Sequence, residues 1–125
     1  MTQILLVALG GAFGSVCRYL VGLGALRLLG AAFPWGTFAV NIAGCFLIGA
    51  FAELIVARFG ASADLRLLFI TGFLGGFTTF SAFALDAVSL FERGAVMASV
   101  LYVSASVGIS IIAVVAGIAV VRSII

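Results

Sequence analysis

Four stretches of this sequence are each apolar for about the length that crosses a bilayer, and only short polar turns separate them. A spanning helix needs roughly 20 apolar residues, because the hydrocarbon core is about 30 Å thick and each helical residue rises about 1.5 Å. The pattern predicts helices at about 3–29, 37–57, 67–90 and 95–122. The first, from Gln3 to Leu29, has Arg18 as its one deep interruption. Pro34, the only proline, marks the turn that follows. The second runs from Thr37 to Ala57, and the polar stretch Arg58–Arg66, with Gly60, Ser62 and Asp64, is the next loop. The third carries no charge from Leu67 to Leu85. Glu92–Arg93–Gly94 makes a short turn, and the fourth runs uncharged from Ala95 to Val121 before ending at Arg122.

Of the 125 residues, 66% are hydrophobic and 8% charged, where soluble domains run about half apolar and about a quarter charged. A chain this short has too little interior to hide that surface, so lipid is its solvent. The fold class is an all-α membrane protein, one four-helix transmembrane domain over residues 1–125 with short connections and both termini on one side. That side holds Arg58, Arg66 and Arg122, the other Arg27 and Arg93. Such a balance gives almost no positive-inside bias. Copies are therefore expected to insert both ways, a dual topology in which inverted copies pair about a two-fold axis in the membrane plane. The N-terminus lacks a basic leader region, and its long apolar run is expected to stay as the first helix rather than act as a signal peptide.

Several classes are disfavoured. There is no His and no Lys, and a net charge of +2 without a basic run does not suit nucleic acid. No nucleophile–base pair or glycine-rich phosphate loop suggests an enzyme. Glu53, Asp64, Asp86 and Glu92 are expected near helix ends or loops, as solvated charges. Cys17 and Cys45 read as small buried hydrophobes, with neither metal-ligand spacing nor a disulfide framework.

The remaining polar residues inside the apolar segments carry the functional signal. Arg18 sits well inside a span, where a charge is costly and usually functional. It shares a face with Gly10 and Gly14 at i, i+4, i+8, and a cation there suits an anionic substrate. Asn41, one turn after Thr37, must face the bundle, either donating to an anion or bonding a neighbouring helix. The third segment reads Gly72-Phe73-Leu74-Gly75-Gly76-Phe77-Thr78-Thr79-Phe80-Ser81-Ala82-Phe83. Its glycine pair followed by a threonine pair predicts a helix broken at Gly75-Gly76, which membranes tolerate where protein or water satisfies the freed backbone. A glycine-rich packing face is the competing reading. Phe80 and Phe83 are three apart, with Ser81 between them and Thr79 just before. An aromatic edge is positive and attracts an anion, although twelve phenylalanines make lipid-facing rings the default. Tyr102, Ser106 and Ser110 form one polar stripe at i, i+4, i+8, either lining a wet track or bonding back to their own helix.

Three segments together resemble the Fluc (CrcB) family of small fluoride channels. They are Gly10–Tyr19, Gly36–Asn41 continuing to Gly44, and Gly72–Phe83, the last highly specific. The resemblance covers essentially the whole chain. It implies an antiparallel homodimer in a bacterial inner membrane, exporting fluoride passively through two pores that both subunits build. By resemblance the pore residues are Asn41, Phe80 and Phe83, with Ser81, Thr79, Tyr102, Ser106, Ser110 and the first-helix Arg18. The resemblance further implies a central structural sodium, not transported, held by backbone oxygens of Gly75 and Thr78. One position departs: family members often read Thr-Phe-Ser-Thr-Phe where this chain has Ala82, so one hydroxyl is missing. A small multidrug-type four-helix exporter would need an acid in the first helix, which holds Arg18 instead. A non-conducting membrane assembly subunit is the other alternative, and it would pass no ions.

Overall fold

The computed structural model describes residues 1–125, all helical apart from turns and one interruption. Four helices are long and apolar enough to span a membrane. Helix α1 covers Thr2–Leu29 and stops at Gly30, whose φ of 80° a residue without a Cβ adopts freely. Helix α2 covers Trp35–Phe59. It starts two residues earlier than the apolar pattern predicts, because Pro34 at its N-cap ends the turn, and it continues through Arg58 into a last turn that favours a cation. Gly60, in the left-handed region with φ 59°, closes it.

The third span, Ala63–Glu92, is built from unlike pieces. A single turn, α3 (Ala63–Leu65), is capped by Ser62, whose Oγ accepts from the Leu65 amide at 3.4 Å. Arg66–Leu74 is π-helical, and the turn Gly75–Phe77, α4, follows. Thr78 and Thr79 are extended, and α5 runs Phe80–Glu92. The span is therefore bent, but the break falls on the threonine pair and not on Gly75-Gly76. Gly75 has ordinary right-handed helical angles, φ −62° and ψ −36°. The span also begins before residue 67, since Ser62 supplies a cap that hydropathy does not register. Helix α6, Val96–Ile124, completes the fold.

Close approach of backbones explains where the glycines went. A Cβ at Gly10 or Gly14 would collide with the backbone of Leu68 or Phe73, and one at Gly76 with the backbone of Gly11. Thus α1 lies directly on the first half of the third span. Gly49 against Val114 and Gly117 against Phe46 do the same for α2 and α6, which pack along each other. In lipid no hydrophobic force drives helices together, so such van der Waals contact carries the association.

Each end of the bundle is tied by an arginine. Arg122 makes a two-pronged pair with Glu53, Nε to Oε1 at 2.9 Å and Nη2 to Oε2 at 3.1 Å. At the other end Arg93 donates to the Ala32 carbonyl at 3.3 Å, joining the α1–α2 and α5–α6 turns. Only 17 of the 125 residues are buried, while Leu5, Leu9, Leu20, Val100, Ile111 and Ile112 are exposed. That inversion of the soluble pattern fits a surface solvated by lipid.

Candidate functional site

The site grows from the interruption at Thr78–Thr79. The Thr79 amide, which would close a helical turn onto the Gly75 carbonyl, instead donates to Asn41 Oδ1 at 2.8 Å. Asn41 Nδ2 in return donates to the Thr79 carbonyl at 2.9 Å. The Ala82 amide, the helical partner of the Thr78 carbonyl, donates to Thr79 Oγ1 at 3.2 Å, so Thr79 is the N-cap of α5. Two amides are thus drawn away from the carbonyls of Gly75 and Thr78. Thr78 Oγ1 turns back to the Leu74 carbonyl at 2.9 Å. Asn41 is therefore a bond between helices, and a primary amide has two N–H groups, so one remains to serve a ligand.

Beside this junction lies a cavity of about 300 Å³, lined by Asn41 and Cys45 from α2, Thr78 and Thr79 from the break, Phe80 and Phe83 from α5, and Ser106, Val107, Ser110 and Ile111 from α6. No acidic side chain lines it. Ser106 is 6% exposed, and its Oγ has no hydrogen-bond partner. A buried hydroxyl left unpaired is costly, and it belongs to a residue of the cavity lining. The rings of Phe80 and Phe83 lie 5.5 Å apart, tilted by 50°. They differ in setting: Phe83 is 8% exposed and Phe80 is 78% exposed.

Of the other residues singled out by the sequence, Tyr102 and Ser81 touch residues of the lining, and Arg18 is apart from it. Tyr102 is fully buried, its ring 5.2 Å from that of Phe83, and its hydroxyl donates to Asp86 Oδ2 at 3.2 Å. Ser81 is exposed, its Oγ 3.4 Å from Thr79 Oγ1. Arg18 is half-buried on α1, and its side chain makes no ion pair or hydrogen bond within the chain. No group of three or more His, Cys, Asp or Glu gathers anywhere, so a cation held here would meet backbone or hydroxyl oxygens.

Two residues escaped the sequence reading. Cys45 lies four residues after Asn41, on the same face of α2, a spacing that places it in the cavity. Asp86 is not at a helix end but inside α5, one turn beyond Phe83. It borders a second cavity of about 440 Å³ that also includes Thr37, Trp35 and Arg93. Thr37 and Asn41 are one turn apart on α2, as Asp86 and Phe83 are on α5. Each of these helices thus contributes to both cavities within one turn.

Residues 5–118 match the family described as CrcB-like protein, Camphor Resistance (CrcB). The chain belongs to the CrcB family. It is 68% identical over 123 residues to a protein of Rhizobium etli (strain CIAT 652) named fluoride-specific ion channel FluC, covering 98% of both chains. A protein of the same name from another Rhizobium etli strain is 66% identical over 125 residues, the full length of both. One from Agrobacterium fabrum (strain C58) is 60% identical over 123 residues. Membership in this family of ion channels, with four helices able to span a bilayer, makes the chain a multi-pass membrane protein and not an enzyme.

Proposed function

We propose that the protein is a passive, fluoride-selective channel of the bacterial inner membrane, formed by two antiparallel copies with two pores, that lowers cytoplasmic fluoride. The observation that carries this reading is the acid-free cavity lined by Asn41, Ser106 and Ser110 beside the break, with the Ser106 hydroxyl left without a partner. Fluoride is small and tightly hydrated, so a pore must replace its water with donors. Ser106, Ser110 and Asn41 supply O–H and N–H groups, and Phe80 and Phe83 supply positive ring edges. No carboxylate stands in that cavity to couple an anion to a proton. The exposed ring of Phe80 beside the cavity supports a second subunit completing the wall. The names of the relatives point to the same ion.

The family's structural sodium fits the residues present. The carbonyls of Gly75 and Thr78 have lost the amides of Thr79 and Ala82 to Asn41 and Thr79 Oγ1. They are hard oxygens in need of a partner in lipid, and they would hold the ion together with those of a second copy. Bound there, sodium supplies a fixed positive charge between subunits.

Fluoride efflux from liposomes containing the purified protein tests the function, with chloride as the control ion. Fluoride release without chloride release is expected. Accumulation of fluoride against its gradient under an imposed proton gradient would overturn the channel reading. Arginines added to one side should abolish flux until an oppositely biased copy is supplied; activity from one strongly biased variant alone would exclude the antiparallel pair.

A further inference from the structure

The two cysteines of this chain occupy different surroundings. Cys17 packs against the cluster of Val40, Leu74 and Phe77, where a thiol acts as a small hydrophobe. Cys45 is a free, half-buried thiol on the wall of the cavity beside the break, one helical turn from Asn41. Gly44 beside it is buried against Thr78, which fixes this stretch of α2 on the break and leaves the next side chain directed at the open space. Across that space stands Ser106, nine-tenths buried, with a hydroxyl that nothing in the chain satisfies. Ser106 and Cys45 line the same volume, and the unpaired Ser106 hydroxyl is a donor still in need of an acceptor there.

We propose that Cys45 lines the anion path, its S–H touching the permeating ion between Asn41 and the α6 hydroxyls and tuning how fast the ion passes. The inference rests on the fluoride-channel reading. A thiol is a weak donor with a soft sulfur, so it offers fluoride less than the hydroxyls opposite do. The side chain would thereby keep the hard anion from binding too tightly at this level, since conduction requires a site weak enough to leave. Such a thiol must also meet the water that accompanies the ion, unlike Cys17.

Mercuric chloride, a small neutral reagent in chloride solution, reads this out. The Cys45 sulfur bonds to mercury, one chloride leaves, and the thiol proton goes to buffer, with no change of oxidation state. In liposomes containing the full-length protein, mercuric chloride should lower fluoride efflux by about tenfold or more, and excess dithiothreitol should restore it. Cys17→Ser should remain blocked. Cys45→Ser should escape the block, and its harder, stronger donor should change the unblocked rate by about threefold or more. Should Cys45→Ser fail to assemble, Cys45→Ala replaces it in the block test. Intact-mass measurement shows which thiol carries mercury. Block that persists without Cys45, a Cys45 that stays unmodified, or a mercurated Cys45 with undiminished efflux would each overturn the proposal. Liposomes that pass no fluoride before mercury is added would instead sink the fluoride reading itself.

Discussion

Upstream of Thr78 the third span is held by backbone lying on backbone, with Gly76 against Gly11 and the Phe73 backbone against Gly14. Downstream of Thr79 the same span meets its neighbours through side chains: Phe83 and Leu90 on Tyr102, and Ser99 Oγ donating to the Ala87 carbonyl at 2.7 Å. In the first half a methyl group at Gly72 or Gly76 would press on the α1 backbone, and the cavity it borders, beside Leu68, Phe69 and Phe73, is apolar. The second leaves about 300 Å³ beside a hydroxyl without a partner. The tight half suits a role in positioning, and the half beside the polar space suits the proposed ion path. The glycines belong to the first role and the hydroxyls to the second, so substitutions on the two sides should fail in different ways.

The largest effect is expected at the joint. Asn41→Leu keeps the bulk but leaves the Thr79 amide and carbonyl without partners inside the membrane, at about 1–3 kcal/mol for each group. Fluoride efflux should fall by about a hundredfold or more, and the thermal unfolding midpoint in detergent should drop with it. A variant that is both stable and conducting would show that the joint does not need this side chain. Next, Gly76→Ala should cost about 1–3 kcal/mol through overlap with Gly11. Gly108→Ala, whose added methyl meets nothing within 4 Å, is its control. Equal unfolding midpoints for the two would dissolve the distinction between the halves.

In the looser half, Phe80→Ile should lower fluoride efflux by about tenfold with little change in unfolding, because the ring is exposed in the protomer and only its positive edge is lost. Unchanged efflux would return the ring to ordinary lipid contact. The smallest effect, and the one with a telling sign, is expected at Ser106. Ser106→Ala should slow efflux a few-fold while leaving stability unchanged or raising it by up to about 1 kcal/mol, since it removes a buried hydroxyl that lacks a partner. A loss of stability would mean that the hydroxyl has a structural role in the protomer.

Much of this contrast was legible in the residues, for identifiable reasons. The number of spans follows from the length of each apolar stretch, a one-dimensional property. The cavity wall follows in part from the i, i+4 spacing of Ser106 and Ser110 and from the Thr79-Phe80 pair. The position of the break was misjudged because glycine permits a break without requiring one. At Gly75-Gly76 the missing side chains serve contact with α1, and at Thr78-Thr79 Asn41 and a capping hydroxyl compete for the amides. The π-helical run Arg66–Leu74 has no pattern in the sequence that separates i+5 from i+4 bonding. Asp86 looked like a loop acid because the apolar run seemed to thin out there, yet Tyr102 sixteen residues later gives it a donor.

The Asn41–Thr79 bond pair also bears on how the protein is made. Helix α2 leaves the ribosome before the third span, so the amide of Asn41 enters the bilayer with its partner not yet synthesised. Alone, residues 63–92 would satisfy their own backbone best as an unbroken helix, since in lipid every amide must find an acceptor. Docking beside α2 supplies the partners for the Thr79 amide and carbonyl that let this span open its turn. Insertion order, then, bears on where this span can break.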